Sequence, residues 1–96
     1  MLTGKQRRFL RALGTGLDPI FQIGKGGLNE NLINQLDDAL EARELIKVRV
    51  LTNSDENPKE IGGEIALAIG AELVQVIGKT LLFFRPSKKK PKIELP

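Results

Sequence analysis

Gly24-Lys25-Gly26-Gly27 stands between a β-branched run and a helix-like segment. In that setting glycines let a backbone approach a ligand closely, and unpaired helix N–H groups favour an anion. Phosphate is the natural guest of such a loop. The spacing is not that of a Walker loop, which needs four residues between its glycines and a following lysine with serine or threonine, nor that of the Gly-x-Gly-x-x-Gly dinucleotide pattern. Two glycines separated by two residues match the KH-type clamp on a nucleic-acid backbone, although glycine pairs also serve simply to make turns. A second constellation is Lys5, Arg7, Arg8 and Arg11, a cationic arc with no offsetting acid among its immediate neighbours. A third is Asp37, Asp38, Glu41 and Glu44. Its carboxylates have the chemistry to hold magnesium, but at this spacing they read as the solvated face of a helix.

Other chemistries are excluded by composition. The 96 residues contain no cysteine and no histidine. Disulfides, thiolate nucleophiles, cysteine zinc sites, imidazole ligands and the serine-histidine triad are therefore all absent. No nucleophile with an adjacent base is visible, and a chain this short has little room for a deep, many-walled pocket. A binding protein without catalysis or cofactor is expected. With 41% hydrophobic and 28% charged residues the chain reads as one globular domain. No apolar run approaches the ~20 residues of a membrane span, so a cytoplasmic protein with no membrane partner is expected; the oligomeric state is not read from the sequence, and a monomer is the default. The net charge of +3 is unevenly spread. Residues 1–27 carry five basic and one acidic side chain, residues 28–72 four and ten, and residues 73–96 six and one. Basic ends around an acidic middle point to an anionic partner, RNA above all, if folding brings the ends to one side.

The elements that must position these groups are legible from periodicity. Thr3 and Gln6 have capping-box spacing, and Phe9, Leu10 and Leu13 recur at helical intervals until Gly14 and Gly16. Pro19 to Ile23 reads as a strand beginning with proline. After the glycine loop, Asn29 caps a second helix whose inner stripe is Leu32, Ile33, Leu36, Ala39 and Leu40, with Leu28 stapled onto Ile33. Ile46 to Val50 alternates strictly, turning Lys47 and Arg49 outward. A polar loop spans 52–57. Pro58 then opens a third helix along Ile61, Ile65, Ala68 and Ile69, unless Gly62-Gly63, costing about 1 kcal/mol each, delays its start. Leu73 to Ile77 and Thr80 to Arg85 form a hairpin about Gly78-Lys79, of type II′ with glycine first. Both runs are apolar on both faces apart from Gln75, the pattern of central strands. All four phenylalanines, Phe9, Phe21, Phe83 and Phe84, fall in apolar stripes or strands, which argues for a core role and against the base-stacking sheet of an RRM. The expected class is α/β, in the order α-β-α-β-α-β-β around a four-stranded mixed sheet with two crossovers and a final hairpin. Residues 1–85 form the domain and residues 86–96, rich in lysine, a basic flexible tail.

Four stretches in order carry a resemblance. They are Leu2 to Arg11 (LTGKQRRFLR), Gln22 to Leu28 (QIGKGGL), Ala39 to Val48 (ALEARELIKV) and Gly70 to Lys79 (GAELVQVIGK). Together they resemble the YhbY family, stand-alone bacterial CRM domains named for chloroplast RNA splicing and ribosome maturation, over roughly residues 2–85. The resemblance implies a fold like the carboxy-terminal domain of translation initiation factor three. It also implies RNA binding through Gly24, Lys25, Gly26 and Gly27 with the basic helix at Lys5, Arg7, Arg8 and Arg11, and association with ribosomal RNA in precursors of the large subunit. Residues 52–64 match less well, Gly62-Gly63 being unusual. The rival reading from another class is a protein-interaction module whose basic patches meet an acidic protein.

Overall fold

In a computed structural model, residues 2–24, 26–51 and 57–96 are described. Lys25 and most of the polar loop expected at 52–57 lie outside them. Helix α1 runs from Gly4 to Gly14 behind the expected capping box: the Thr3 hydroxyl accepts the Gln6 amide at 3.1 Å and the Gln6 side chain accepts the Thr3 amide at 3.0 Å. Strand β1 is Pro19–Ile23, helix α2 is Glu30–Arg43 and strand β2 is Leu45–Val50. Helix α3 is Pro58–Ile69, and strands β3 (Glu72–Ile77) and β4 (Thr80–Phe84) close the chain's regular structure. The α-β-α-β-α-β-β order and the four-stranded mixed sheet are those expected.

The sheet order is β1-β2-β4-β3, with β1 parallel to β2 and β4 antiparallel to both β2 and β3. The final hairpin therefore inserts its second strand beside β2 and leaves β3 on the edge. This corrects the expectation that both hairpin strands are central. The residue that betrays the edge is Ile77, 64% exposed. Gly78 has φ 56°, and Lys79 is not among the residues of positive φ, as a type II′ turn requires.

Alternation divides β2 and β4 between two cores. Ile46, Val48, Val50, Leu81 and Phe83 join Leu36 and Leu40 of α2 and Ile61, Ile65 and Ile69 of α3 on one face. Leu45, Leu82, Phe84 and Val74 of β3 face the other way, around Leu10 of α1. Helix α3 begins at Pro58, so the glycine pair lies inside it. A Cβ at Gly62 would sit 2.9 Å from a Leu73 methyl, and glycine there lets α3 lie close on β3. Helix α1 presents a narrower seam than its sequence suggests: Leu10 and Gly14 are buried, whereas Phe9 and Leu13 of the expected core stripe are 36% and 43% exposed.

The segment expected to be a flexible tail is packed against the domain, and the acidic face of α2, expected to be merely solvated, is what holds it. Ile93 and Leu95 lie against the α1-side core. Glu44, 0% exposed, accepts the amides of Ser87 (2.8 Å), Lys92 (2.7 Å) and Ile93 (2.8 Å). Glu41 accepts the Ser87 hydroxyl and the amides of Lys88 and Lys89. The buried guanidinium of Arg85 bridges Asp37 at 2.8 Å and Glu41 at 3.3 Å. Composition misled because it counts lysine side chains, while most of the anchoring donors are backbone amides, joined by the Ser87 hydroxyl and by the Lys92 ammonium on the Ala42 carbonyl at 3.4 Å.

Candidate nucleic-acid interface

The carboxyl ends of β1 and β2 and the β3–β4 hairpin meet at one end of the sheet. There the Leu51 amide donates to the Ile23 carbonyl at 2.8 Å and the Val50 amide to the Lys79 carbonyl at 2.7 Å. The glycine loop leaves β1 at this end. Its turn is closed by the Gly27 amide on the Gly24 carbonyl, 3.1 Å. Gly26 at φ 102° and Gly27 at φ 64° adopt conformations that side-chain-bearing residues rarely occupy, and Gly26 is exposed. Gly24 is half-buried beside Leu51. The neighbouring α2 terminus is less free for an anion than expected: Asn29 takes the Leu32 amide at 2.8 Å, and Glu30 stands in the first turn. The α2 terminus therefore offers fewer free N–H groups, and less positive potential, than the loop beside it.

Of the four cations predicted on α1, Lys5, Arg8 and Arg11 are exposed. Arg7 is not available in the same way. Its Nη1 donates to the Leu73 and Val74 carbonyls at 3.1 and 3.3 Å. These carbonyls lie where the β3–β4 register shifts between Leu73 and Gln75. A bulge leaves ladder groups unpaired, and here an arginine occupies them. This contact also orients the helix. The first turns of α1 lie at the amino end of β3, opposite the glycine loop, with the Gln6 side chain donating to the Pro96 carbonyl at 3.3 Å. Thr15, one turn beyond Arg11, lies beside Ile77 and Thr80. The loop and the amino end of α1 are thus at opposite ends of the sheet, and Arg11 is the predicted cation nearest the middle.

Between them lies a surface that the motifs do not announce. Helix α1 covers Leu45, Val74, Leu82 and Phe84 on its face of the sheet, with Gly14 lying over Leu82, and stops there. Beyond it Lys47 is half-buried and Arg49 exposed, on the α1 side by alternation with Leu45, and the exposed Gln22 pairs in register with Arg49. Arg49 and Lys79 border one shallow depression with Leu51. The signal was present in the strict alternation of β2. What hid it is that nothing in the sequence says how much of the sheet α1 covers.

The acidic cluster works elsewhere. Hydrogen bonds from the Ser87 hydroxyl and the Lys88 amide, aided by Lys89 and Arg85, hold the Glu41 carboxyl down at about 2. For Glu44 burial opposes ionisation, but the amides of Ser87, Ile93 and Lys92 outweigh it and the carboxyl stays below its ordinary value. Among the described residues no group of three or more carboxylates is placed to hold a metal ion, and no helix is long and apolar enough to cross a membrane.

Comparison with known proteins matches residues 2–85 to the CRS1/YhbY (CRM) domain. The chain is 51% identical over 96 residues to the Bacillus subtilis protein named "Probable RNA-binding protein YqeI", covering all of both chains. It is 38% identical to a Haemophilus influenzae protein named "RNA-binding protein", covering 99% of this chain and 95% of the other. Among solved structures, the solution structure of the hypothetical protein SAV1595 from Staphylococcus aureus superposes with a TM-score of 0.83 at 57% identity, covering both chains completely.

Proposed function

The chain belongs to the CRS1/YhbY (CRM) domain family, and on that footing we propose that it is an RNA-binding protein which associates with ribosomal RNA in precursors of the large ribosomal subunit and assists their assembly without catalysing a reaction. The observation that carries the RNA-binding reading is family membership over nearly the whole chain together with full-length relatives named for RNA binding. The arrangement of groups fits it. A glycine loop with two residues of positive φ, Arg49 and Lys79 share one end of the sheet, and Lys5, Arg8 and Arg11 are exposed on α1.

In this reading the loop amides, with Lys25, hold one or two phosphates, Arg49 of β2 contacts neighbouring ones, and the exposed cations of α1 contact others farther along the RNA. Such contacts fix register along an RNA without reading its sequence. The protein acts in the cytoplasm as a monomer. Sedimentation tests the target: the protein should travel with large-subunit precursors in low-salt gradients, and cells lacking it should accumulate them. Migration free of ribosomal particles at every salt concentration, or with messenger RNA alone, removes the ribosomal assignment.

A further inference from the structure

Where α1 ends over the sheet lies a cavity of about 270 Å³ lined by Thr15, Lys47, Gln75, Ile77, Thr80 and Leu82. It lies just below the ~300–1,000 Å³ of ordinary small-molecule sites. Its walls combine two kinds of surface. Ile77, 64% exposed, supplies the apolar contact, while Leu82, 2% exposed under the end of α1, only backs the cavity. Gln75 supplies an amide donor and acceptor, and Thr80 a hydroxyl that can do either. Among the described residues neither side chain is engaged in a hydrogen bond. The Thr15 hydroxyl donates to the Arg11 carbonyl at 3.0 Å, which leaves its oxygen free to accept. Lys47 closes one side, and Arg49, two residues on, continues the positive charge toward Lys79.

One exposed isoleucine beside neutral donors and acceptors suits a face of a flat heterocycle with a polar edge, and the line of cations beside it suits the phosphates to which that heterocycle is tethered. Resting on the RNA-binding reading above and deepening it, we infer that this cavity seats one unpaired nucleobase of the bound RNA, with the adjoining backbone running past Lys47 and Arg49 toward the glycine loop. The site selects unpaired over paired RNA, because a base inside a duplex has its polar edge occupied and its faces stacked. Aliphatic contact takes the place of aromatic stacking, since Phe83 and Phe84 are buried in the cores.

The test measures affinity of the full chain for three RNAs at one salt concentration: a short unpaired oligoribonucleotide, the same strand with abasic positions, and a fully paired hairpin of equal length. Gln75→Met and Thr80→Val remove the polar edge without changing charge and with little change of volume. Each should weaken binding of the unpaired strand roughly tenfold, as removal of a desolvated hydrogen bond does, while hairpin affinity changes by less than about twofold. The abasic strand should bind the wild-type protein about as weakly as the intact strand binds the variants, a measurement that needs no variant to fold. Equal binding of abasic and intact strands would overturn the inference and leave an electrostatic track, with the RNA-binding reading standing. Binding to none of the three RNAs would overturn both.

Discussion

Glu44 accepts the backbone amide of Lys92 at 2.7 Å across 48 residues of sequence, and it does so from a backbone conformation, φ 67°, that glycine would occupy more easily. The side chain therefore has a use that outweighs the strain of its own backbone. Its Oε1 also accepts the Ile93 amide and its Oε2 the Ser87 amide. One carboxylate at the end of α2 thus converts a run of lysines into an ordered part of the domain.

Glu44→Ala should destabilise the protein by about 2 kcal/mol, because three amides are deprived of a charged acceptor at a site closed to water. For a chain of this size that lowers Tm by roughly 8–16 °C. Glu44→Gly, which relieves the backbone but also removes the carboxylate, should recover only part of the loss. Deleting residues 87–96 should lower Tm as well, since it uncovers the α1-side core at Ile93 and Leu95. Thermal melts of the three variants decide it. An unchanged Tm after deletion would show that the segment adds nothing to stability.

The same hydrogen bonds predict acid sensitivity. Glu41 is held at about 2 in the fold against an ordinary value of 4.5, and Glu44 is also lowered. A carboxyl with a depressed folded value stabilises fully above its unfolded value and loses that contribution as pH falls toward the folded one. Tm should therefore be level near pH 6 and fall between pH 4.5 and 2. Glu41→Gln should flatten part of that fall. Melts across this range that are parallel for the variant and the wild type would contradict it.

The sequence distinguished elements better than it distinguished their surroundings. The Thr3 and Asn29 caps, the β1 run and the hairpin glycine were readable because each is decided by local chemistry. The burial of Glu44, the edge position of β3 and the open part of the sheet were not, since each depends on which strand or helix arrives from far along the chain. Gly62 and Gly63 show the difference within two residues. As sequence they are equal liabilities in a helix, yet a Cβ at 62 meets Leu73 and one at 63 meets nothing within 4 Å. The candidate site divides in the same way. The glycine loop and the cationic helix were legible as motifs, while Lys47 and Arg49 became significant only once α1 was seen to stop short of them.

Two kinds of arginine on one helix should separate by assay. Arg7→Ala leaves the Leu73 and Val74 carbonyls without their donor and should cost about 1–2 kcal/mol of stability. Arg11→Ala and Arg8→Ala, both at exposed positions, should leave Tm unchanged and weaken RNA binding. For each phosphate that a variant no longer neutralises, the dependence of log affinity on log salt should fall by roughly 0.7 to 0.9. Salt titrations that leave the slope unchanged in both exposed variants would take this face of α1 out of the interface.

The glycine loop needs a paired substitution, because at φ 102° any side chain at Gly26 strains the turn and a single variant would confuse strain with charge. Gly26→Asn and Gly26→Asp have nearly the same shape and share the backbone penalty, and no neighbouring atom lies within 4 Å of the added Cβ in either case. They differ in one negative charge placed where a phosphate is proposed to lie. Gly26→Asn should bind RNA somewhat less well than the wild type, by an amount that reflects the altered turn, and Gly26→Asp should bind weaker again by roughly an order of magnitude at low salt. The gap between the two should narrow as salt rises, since screening weakens repulsion between an exposed carboxylate and phosphate while leaving strain untouched. Circular dichroism should be the same for both, the loop lying outside the two cores. If Asn and Asp variants bind alike at every salt concentration, the loop is a turn that the RNA does not touch, and the RNA must instead be held along Lys47, Arg49 and the exposed face of α1.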